Sequence, residues 1–286
     1  MPVELTNGLA GAIRDENDYV RLQAVYALGV MARPPIEGPA ADSLVAALAD
    51  KEQRVRLAAA RVAGALRASS AAPALVTAVN DKDREVRYAA MRSLGDLKDV
   101  TAVQALTDQL NFYKKGLGAE TALDSLARIG YPGSIPIFQQ RLTDRNWVIR
   151  RHAAEGLART GDAQAALLVE PVLQKEKQES VRLAMVYALA RAGRPAAGGM
   201  VDALRADGLA SQAMVYLVEM GDAAVPTLAQ AMRDQEVVVR ERVAMVLGLI
   251  GSPQAIAVLE GVPQDQDVRV QRAVERAVAR ARMPIR

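Results

Sequence analysis

The stretch Asp83–Gly95, DREVRYAAMRSLG, sets a pattern that the rest of the chain repeats. Counted from Val86, small and apolar residues follow at the spacing of one face of an α-helix, at Ala90, Ser93, Leu94 and Leu97. Because most of this stripe is small, another helix can approach it closely. Asp81 and Asp83 precede the stripe and offer N-cap oxygens and negative charge for a helix start. The stretch therefore predicts a helix that packs against other helices.

Counterparts of Val86 recur about every 31 residues, at Val20, Val55, Val86, Gly118, Ile149, Val181, Leu209, Val239 and Val268. Between them lie second apolar segments that end in an acid, such as APALVTAVND, which ends at Asp81. A period of this length is typical of a two-helix unit that stacks on its neighbours. The acid-ending segments are predicted first helices, and the Val-Arg segments are predicted second helices.

Glycines near the ends of the second helical segments predict C-terminal caps, since glycine tolerates the left-handed backbone there. These glycines are Gly29, Gly64, Gly95, Gly130, Gly161, Gly193, Gly221 and Gly251.

The composition agrees with a helical repeat. Apolar residues make up 51% of the chain and aromatic residues only 3%, so the core must consist largely of Ala, Val and Leu. Folds rich in β-strand favour aromatic and β-branched residues, so an all-α fold is predicted. No Gly/Ser-rich linker divides the 286 residues. We therefore expect a single repeat array over residues 1–286, with an N-terminal repeat at 1–38, central repeats at 39–252 and a C-terminal capping repeat at 253–286.

These segments resemble the HEAT repeat, most closely the short variety of phycobilisome-lyase-like proteins, whose second helix reads roughly D-x-x-V-R-x-x-A-A-x-A-L-G. Good matches are DREVRYAAMRSLG, DKEQRVRLAAARVAG, DRNWVIRRHAAEGLARTG and QEVVVRERVAMVLGLIG. The resemblance implies a right-handed α-solenoid, a superhelix of about nine two-helix repeats, whose second helices line a concave wall. Gly118-Ala119 and Leu209-Ala210 depart from the Val-Arg pair, and the ninth repeat lacks the Leu-Gly ending.

The arginines of the Val-Arg pairs occupy one equivalent position in seven repeats, at Arg21, Arg56, Arg87, Arg150, Arg182, Arg240 and Arg269. We interpret them as structural: each is expected to reach a loop carboxylate or the carbonyl end of a helix, which forms a ladder along the stack.

The positions two and six residues after each anchor lie outside the apolar stripe, and they mix tyrosine and arginine with aliphatic residues. This composition is typical of protein-binding hot spots. The alternative is that these side chains pack against one another along the inner wall. The predicted partner-binding residues of the concave face are Tyr26, Leu57, Arg61, Tyr88, Arg92, Asp124, Arg151, Glu155, Leu183, Tyr187 and Met245.

Charge is concentrated at the C-terminal end. Residues 267–286 carry a net charge of +4 against +3 for the whole chain, so the rest of the chain is nearly neutral. Arg272, Arg276 and Arg280 share a helix face, which suits either a capping repeat or contact with nucleic acid or anionic lipid. The turn Asn111–Gly118, NFYKKGLG, is expected to compensate for the missing Val-Arg pair of its repeat, or to act as a recognition loop.

Enzyme signatures are missing from the sequence. It contains no G-x-S-x-G, no P-loop, no cysteine and only one histidine, His152, so we expect no catalytic residue, no metal and no cofactor. The leading functional hypothesis is a non-catalytic scaffold, a monomer that binds a protein or peptide on its concave face. The alternatives are a bilin lyase or chromophore-handling protein, implied by the resemblance, and a nucleic-acid-binding solenoid. We expect no membrane segment and a cytoplasmic location, with export behind a removed signal left open.

Overall fold

A computed structural model describes the backbone of residues 3–262 and 265–282, and the side chains of residues 8–262 and 265–280. Residues 1–2, 263–264 and 283–286, which fall in the predicted terminal repeats, lie outside the described part. The described residues form α-helices joined by short turns and contain no β-strand. The all-α, solenoid-like fold predicted from the sequence is confirmed. The chain divides into two compact units, Met1–Gly161 and Asp162–Arg286. The single array of residues 1–286 and its division into terminal and central repeats stay predictions.

The N-terminal unit consists of five helical hairpins. They are α1 (Val3–Ala12) with α2 (Asp18–Met31), α3 (Pro39–Leu48) with α4 (Gln53–Ala65), α5 (Ala72–Ala78) with α6 (Arg84–Leu97), α7 (Val103–Tyr113) with α8 (Gly116–Ile129), and α9 (Ile135–Arg141) with α10 (Trp147–Arg159). The second helix of each hairpin packs on the second helix of the next, from α2 through α10.

The C-terminal unit has the same plan with four hairpins. They are α11 (Ala163–Ala166) and α12 (Glu170–Leu173) with α13 (Glu179–Arg191), α14 (Ala197–Ala203) with α15 (Asp207–Met220), α16 (Val225–Ala231) with α17 (Val237–Ile250), and α18 (Pro253–Gly261) with α19 (Val268–Arg282). The second helices α13, α15, α17 and α19 again pack in succession. No described helix combines the length and apolar character needed to cross a membrane.

Close approach of the second helices depends on their small residues. A Cβ atom added at Gly64 would lie 2.9 Å from the Cα atom of Ser93 in the next second helix, and Gly95 meets Ser125 in the same way, again at 2.9 Å. The buried Ser93 hydroxyl donates a hydrogen bond to the Ala60 carbonyl oxygen at 2.7 Å, across the two helices. Backbone therefore packs almost directly on backbone, at a distance that larger side chains would not allow.

This packing corrects part of the prediction for the glycines. Gly29, Gly64 and Gly95 do not cap their helices but lie inside them, where a neighbouring side chain or backbone fills the space of a Cβ atom. The cap prediction holds for glycines that follow the end of a second helix within two residues and have a positive φ. These are Gly130, Gly161, Gly193, Gly221 and Gly251.

Arg56 shows how the Val-Arg arginine connects two repeats. Its side chain is buried, and its Nε and Nη2 atoms donate to the two Asp81 carboxylate oxygens at 2.7 and 3.0 Å. Its Nη1 atom donates to the carbonyl oxygens of Asp50 and Lys51, at 2.9 and 3.1 Å, in the turn before its own helix. The guanidinium thereby fixes the turns of two successive repeats at once.

The same arrangement recurs at Arg21, which pairs with Asp50, and at Arg240, which pairs with Asp265. In each pair the carboxylate also accepts a hydrogen bond from the backbone N–H two residues on, as Asp81 does from Asp83 at 2.8 Å. The predicted ladder is thus confirmed at these three positions. Asp83 takes the N-cap position of α6 as expected, but Asp81 does not. The capping hydrogen bond expected of their oxygens is wrong, because both oxygens of Asp81 and one of Asp83 accept from Arg56.

The turn NFYKKGLG contacts Arg87, the ladder arginine of the preceding repeat, and contains Gly118, which replaces the anchor valine of its own repeat. Arg87 finds no aspartate there, and its Nε atom donates to the Tyr113 hydroxyl at 2.7 Å. The Tyr113 ring occupies the space above Gly118, where an added Cβ atom would lie 2.3 Å from the ring. The glycine at the anchor position is therefore needed to admit the tyrosine, which supports the interpretation that the turn compensates for the lost pair.

The ladder carboxylates are acids whose charge the fold stabilises. Burial raises the pKa of Asp81, but hydrogen bonds from Arg56 and from the Asp83 N–H outweigh it and hold the pKa below its ordinary value of 3.8. The same balance lowers the pKa of Asp50 beside Arg21, and the hydrogen bond from Arg240 lowers the pKa of Asp265. The folded state therefore binds protons at these carboxylates less readily than the unfolded state does. The ionised carboxylates stabilise the fold above pH 3.8, and this stabilisation is lost as the pH falls through their lowered folded-state pKa values.

Asp81→Asn tests this linkage. At pH 7 we expect the variant to be less stable than the wild type by about 2 kcal/mol, the scale of a buried hydrogen bond to a charged group. Below about pH 4 the gap should begin to narrow, because the unfolded wild type binds a proton at Asp81 before the folded state does. It closes once folded Asp81 is protonated as well and resembles asparagine. The measurement is urea denaturation followed by circular dichroism between pH 7 and pH 2. The control is Asp108→Asn at an exposed carboxylate that accepts from Gln104, which should change little at any pH. A gap of the same size at pH 7 and pH 3 would contradict the prediction.

Candidate functional site

The predicted binding residues lie on one face of the second helices. From α2 to α17, each second helix carries its anchor at its third residue, and the candidates follow two and six positions later. We call these positions the second-helix face. In the N-terminal unit, α2, α4, α6, α8 and α10 contribute to it; in the C-terminal unit, α13, α15, α17 and α19 do.

Seven of the eleven candidates are accessible. Tyr26, Arg61, Arg92 and Met245 are exposed, whereas Leu57, Asp124 and Arg151 are half-buried. Tyr26 has 47% and Met245 has 39% of its surface exposed, which is a large share for apolar side chains of this size. That these seven bind a partner stays a prediction.

The exposure expected of the other four candidates, Tyr88, Glu155, Leu183 and Tyr187, is wrong, because all four are buried. The Tyr88 ring packs edge-on against Tyr113, with ring centres 5.6 Å apart. Tyr187 stacks on Tyr216 at 4.4 Å, and its hydroxyl donates to Glu219 at 2.7 Å. In both cases an aromatic ring of the next hairpin covers the tyrosine. The alternative interpretation, that these side chains pack against their neighbours, is therefore correct at these positions, and they form no part of a binding surface.

A polar cluster in the N-terminal unit brings together three titratable side chains. His152 Nδ1 lies 3.0 Å from Glu155 Oε2 on its own helix α10, and 3.4 Å from Asp124 Oδ1 on α8. The three possible ligand atoms lie within 4.8 Å of one another, a spacing that would fit a metal ion. Asp124 and Glu155 are six positions after their anchors in adjacent repeats, which is why the stacked helices place them together.

Arginines around the cluster argue against a metal. Arg128 Nε donates to Asp124 at 3.0 Å, and guanidinium nitrogens of Arg151 and Arg159 lie 3.7 Å from the two Glu155 oxygens. These positive charges already pair with the two carboxylates, so a divalent cation would have to displace guanidinium partners in order to bind. His152 Nε2 faces the Arg151 guanidinium at 3.5 Å. Because a guanidinium only donates and a carboxylate accepts, the tautomer with its proton on Nδ1 satisfies both contacts of the imidazole. The cluster is best described as a buried ion-pair network.

The network around His152 was not predicted from the sequence. Glu155, three residues later on the same helix face, was an available signal. Asp124 belongs to the preceding repeat and could be paired with His152 only through the repeat register.

The last second helix corrects that register. Val268, the predicted anchor, is 52% exposed, whereas Val270 is the third residue of α19 and is fully buried. Gln271 follows Val270 and donates to the Asp265 carbonyl oxygen six residues earlier, as the arginines do in other repeats. Val270-Gln271 is therefore the counterpart of Val-Arg, and Arg269 pairs with Asp267 in its own turn. In this register, Arg272 and Arg276 take the two second-helix-face positions.

These arginines border a groove in the C-terminal unit. The groove has a volume of about 430 Å³ and lies between α17 and α19, with Met214 of α15 at one side. It lies over a close helix contact, since a Cβ atom added at Gly248 would be 2.9 Å from the Ala277 Cα atom. The lining residues are Met214, Glu241, Met245, Gly248, Leu249, Arg269, Arg272, Ala273, Arg276, Ala277 and Arg280.

The groove combines an apolar floor with a basic side. Met245 and Leu249 are 39% and 42% exposed along its α17 side. Arg272, Arg276 and Arg280 follow each other at one-turn spacing on α19, and all three are exposed. Among the described residues, none of the three has an ion-pair partner. The sequence suggested that this row belongs to a capping repeat or contacts nucleic acid or anionic lipid, and both stay predictions. The structure places the row along the groove beside α17.

Stacked hairpins, the Arg–Asp ladder and an accessible second-helix face define an α-helical repeat protein. The HEAT repeats family matches residues 41–111, 118–190 and 199–279, which is more than three quarters of the chain. The protein therefore belongs to the HEAT-repeat family, as its second-helix motif suggested. No curated protein sequence matches it significantly.

Solved structures are similar to this chain at low identity. The complex of CpcE and CpcF of phycocyanin lyase from Nostoc is 20% identical, with 96% of this chain and 93% of that chain covered and a TM-score of 0.40. Human deoxyhypusine hydroxylase in complex with glycerol is 19% identical, with 97% and 96% covered and a TM-score of 0.39. An engineered protein is 19% identical, with 96% and 88% covered and a TM-score of 0.44. These likenesses concern the fold alone.

Metal titration tests the charge balance of the cluster. We expect zinc or manganese, added to protein freed of metal with a chelator, to change the melting temperature by less than about 1 °C, because a ligand that does not bind the native state cannot stabilise it. His152→Gln should respond in the same way. A rise of several degrees in the wild type that is lost in His152→Gln would establish a metal site and contradict the assignment.

Proposed function

We propose that this protein is a non-catalytic scaffold that binds a protein or peptide partner on its second-helix face. The observation that carries the proposal is the groove between α17 and α19, where accessible methionine and leucine lie beside a row of arginines. Exposed apolar area next to arginine is typical of protein-binding hot spots. Met245, a binding residue predicted from the sequence, lies within this groove.

A non-catalytic role is consistent with the position of the one histidine of the chain. His152 is only 6% exposed, and its Nδ1 atom is directed at Glu155 and Asp124. General acid–base chemistry requires a group that can reach the proton of a substrate. A buried imidazole that is held by two carboxylates does not meet that requirement.

The alternatives gain less support. A bilin bound along the second-helix face would need the tyrosines and arginines of that face, but Tyr88 and Tyr187 are both buried against rings of the next hairpin. Nucleic acid would contact the arginine row alone through its phosphates, and the apolar floor of the groove would then have no function. A protein or peptide partner accounts for both parts of the groove.

Site-specific photo-crosslinking tests the proposal. A photoreactive amino acid would replace Met245 in the groove, and in a control variant it would replace Gln230, an exposed residue of the first helix α16. In cells of the native organism, we expect a discrete crosslinked polypeptide from position 245 that is missing at position 230. Identical products from both positions, or none from position 245, would contradict a binding role for the groove.

A further inference from the structure

We infer that the α17/α19 groove accepts an acidic amphipathic helix of a partner protein; this inference rests on the proposed function and names the chemistry of the partner. The helix would place its apolar side chains on the groove floor and its carboxylates against Arg272, Arg276 and Arg280. Neither the sequence pattern nor the family relationship specifies such a ligand. The inference depends on the juxtaposition of floor and arginine row.

The arginine row has the periodicity of a helix. Its members are four residues apart on α19, so consecutive guanidinium groups start about 6 Å apart along the helix axis. A partner helix that runs alongside, with carboxylates at i, i+4 and i+8, has the same rise between its charges. Each carboxylate can therefore meet one guanidinium, and bidentate pairing strengthens each contact.

The charge of the groove also specifies an acidic partner. Glu241 is the one carboxylate among the described lining residues, against four arginines. Arg269 is already held by Asp267 at 2.9 Å. The remaining three arginines have no ion-pair partner in the described part of the chain, so the groove presents a net positive charge to an incoming ligand. Complementary negative charge would speed association and fix the register of the partner.

The floor explains why the ligand is an amphipathic helix rather than a purely acidic segment. Met214, Met245 and Leu249 border the groove. Gly248 and Ala277 also line it, where α17 and α19 approach each other closely. Methionine side chains adapt to irregular apolar ligands. A helix with one apolar stripe and one acidic flank matches this arrangement, and helix-in-groove binding of this kind is a recurring mode of recognition.

Fluorescence anisotropy with designed peptides tests the inference. The probe is a labelled peptide of about 20 residues with leucines at i, i+3, i+4 and i+7 and glutamates on the adjacent flank at i+1, i+5 and i+9. The comparison ligands are a scrambled peptide of the same composition, the same peptide with lysine in place of glutamate, and duplex DNA of similar length. We expect only the acidic amphipathic peptide to bind, with an affinity that falls about tenfold between roughly 50 and 500 mM sodium chloride.

Matched variants locate the binding. Arg276→Glu should weaken peptide binding by about tenfold or more, and Met245→Gln should weaken it at every salt concentration. Arg233→Glu is the control, since it makes the same charge change at an exposed residue outside this groove. Melting curves establish that the variants are folded, and Arg276→Gln replaces Arg276→Glu if the latter is not.

The outcomes separate the inference from the proposed function. Failure of the acidic peptide to bind, while crosslinking at position 245 persists, would overturn the inference and leave the scaffold function standing. Equal binding of the scrambled peptide, or tighter binding of the lysine peptide or of DNA, would also overturn it. Loss of both peptide binding and crosslinking would remove the groove as a site.

Discussion

The structure depends on a buried guanidinium that belongs to two repeats at once. The Arg56 guanidinium donates hydrogen bonds to the Asp81 carboxylate of the next hairpin and to two carbonyl oxygens of the turn before its own helix. A buried cation without such partners would be strongly destabilising, so the side chain fixes both turns in one geometry. The aspartate completes the arrangement because it also accepts the backbone N–H two residues on.

With the turns fixed, the second helices have little freedom in how they stack. Their small residues allow backbone to meet backbone, at Gly64 with Ser93 and at Gly248 with Ala277. In each unit, the positions two and six residues after the anchors recur in successive second helices. These positions are covered where neighbours supply aromatic rings or ion pairs. They are accessible at Tyr26, Arg61 and Arg92 and at the α17/α19 groove.

Sequence periodicity predicted the fold and the structural role of the arginines, because both depend on residues that recur at the same position of each repeat. It could not predict the burial of Tyr88 and Tyr187, since Tyr113 lies outside the repeated motif and Tyr216 takes a stripe position where the repeat of Val86 has the small residue Ser93. It misplaced the last anchor because VRV offers two valines and only burial distinguishes Val270 from Val268. That slip of two residues kept Arg272 and Arg276 out of the predicted binding face. The His152 network was missed for a related reason, since one of its carboxylates comes from another repeat.

The central claim is that the Arg–Asp ladder couples successive repeats, and a double-mutant cycle between Arg56 and Asp81 measures that coupling directly. The free energies of unfolding of the wild type, Arg56→Ala, Asp81→Ala and the double variant give the interaction energy of the pair. The ladder predicts a coupling of about 2 kcal/mol, well above that of the exposed pair Arg84–Glu85, whose side chains are 68% and 50% exposed. A coupling below about 0.5 kcal/mol, the level of a surface ion pair, would contradict the account.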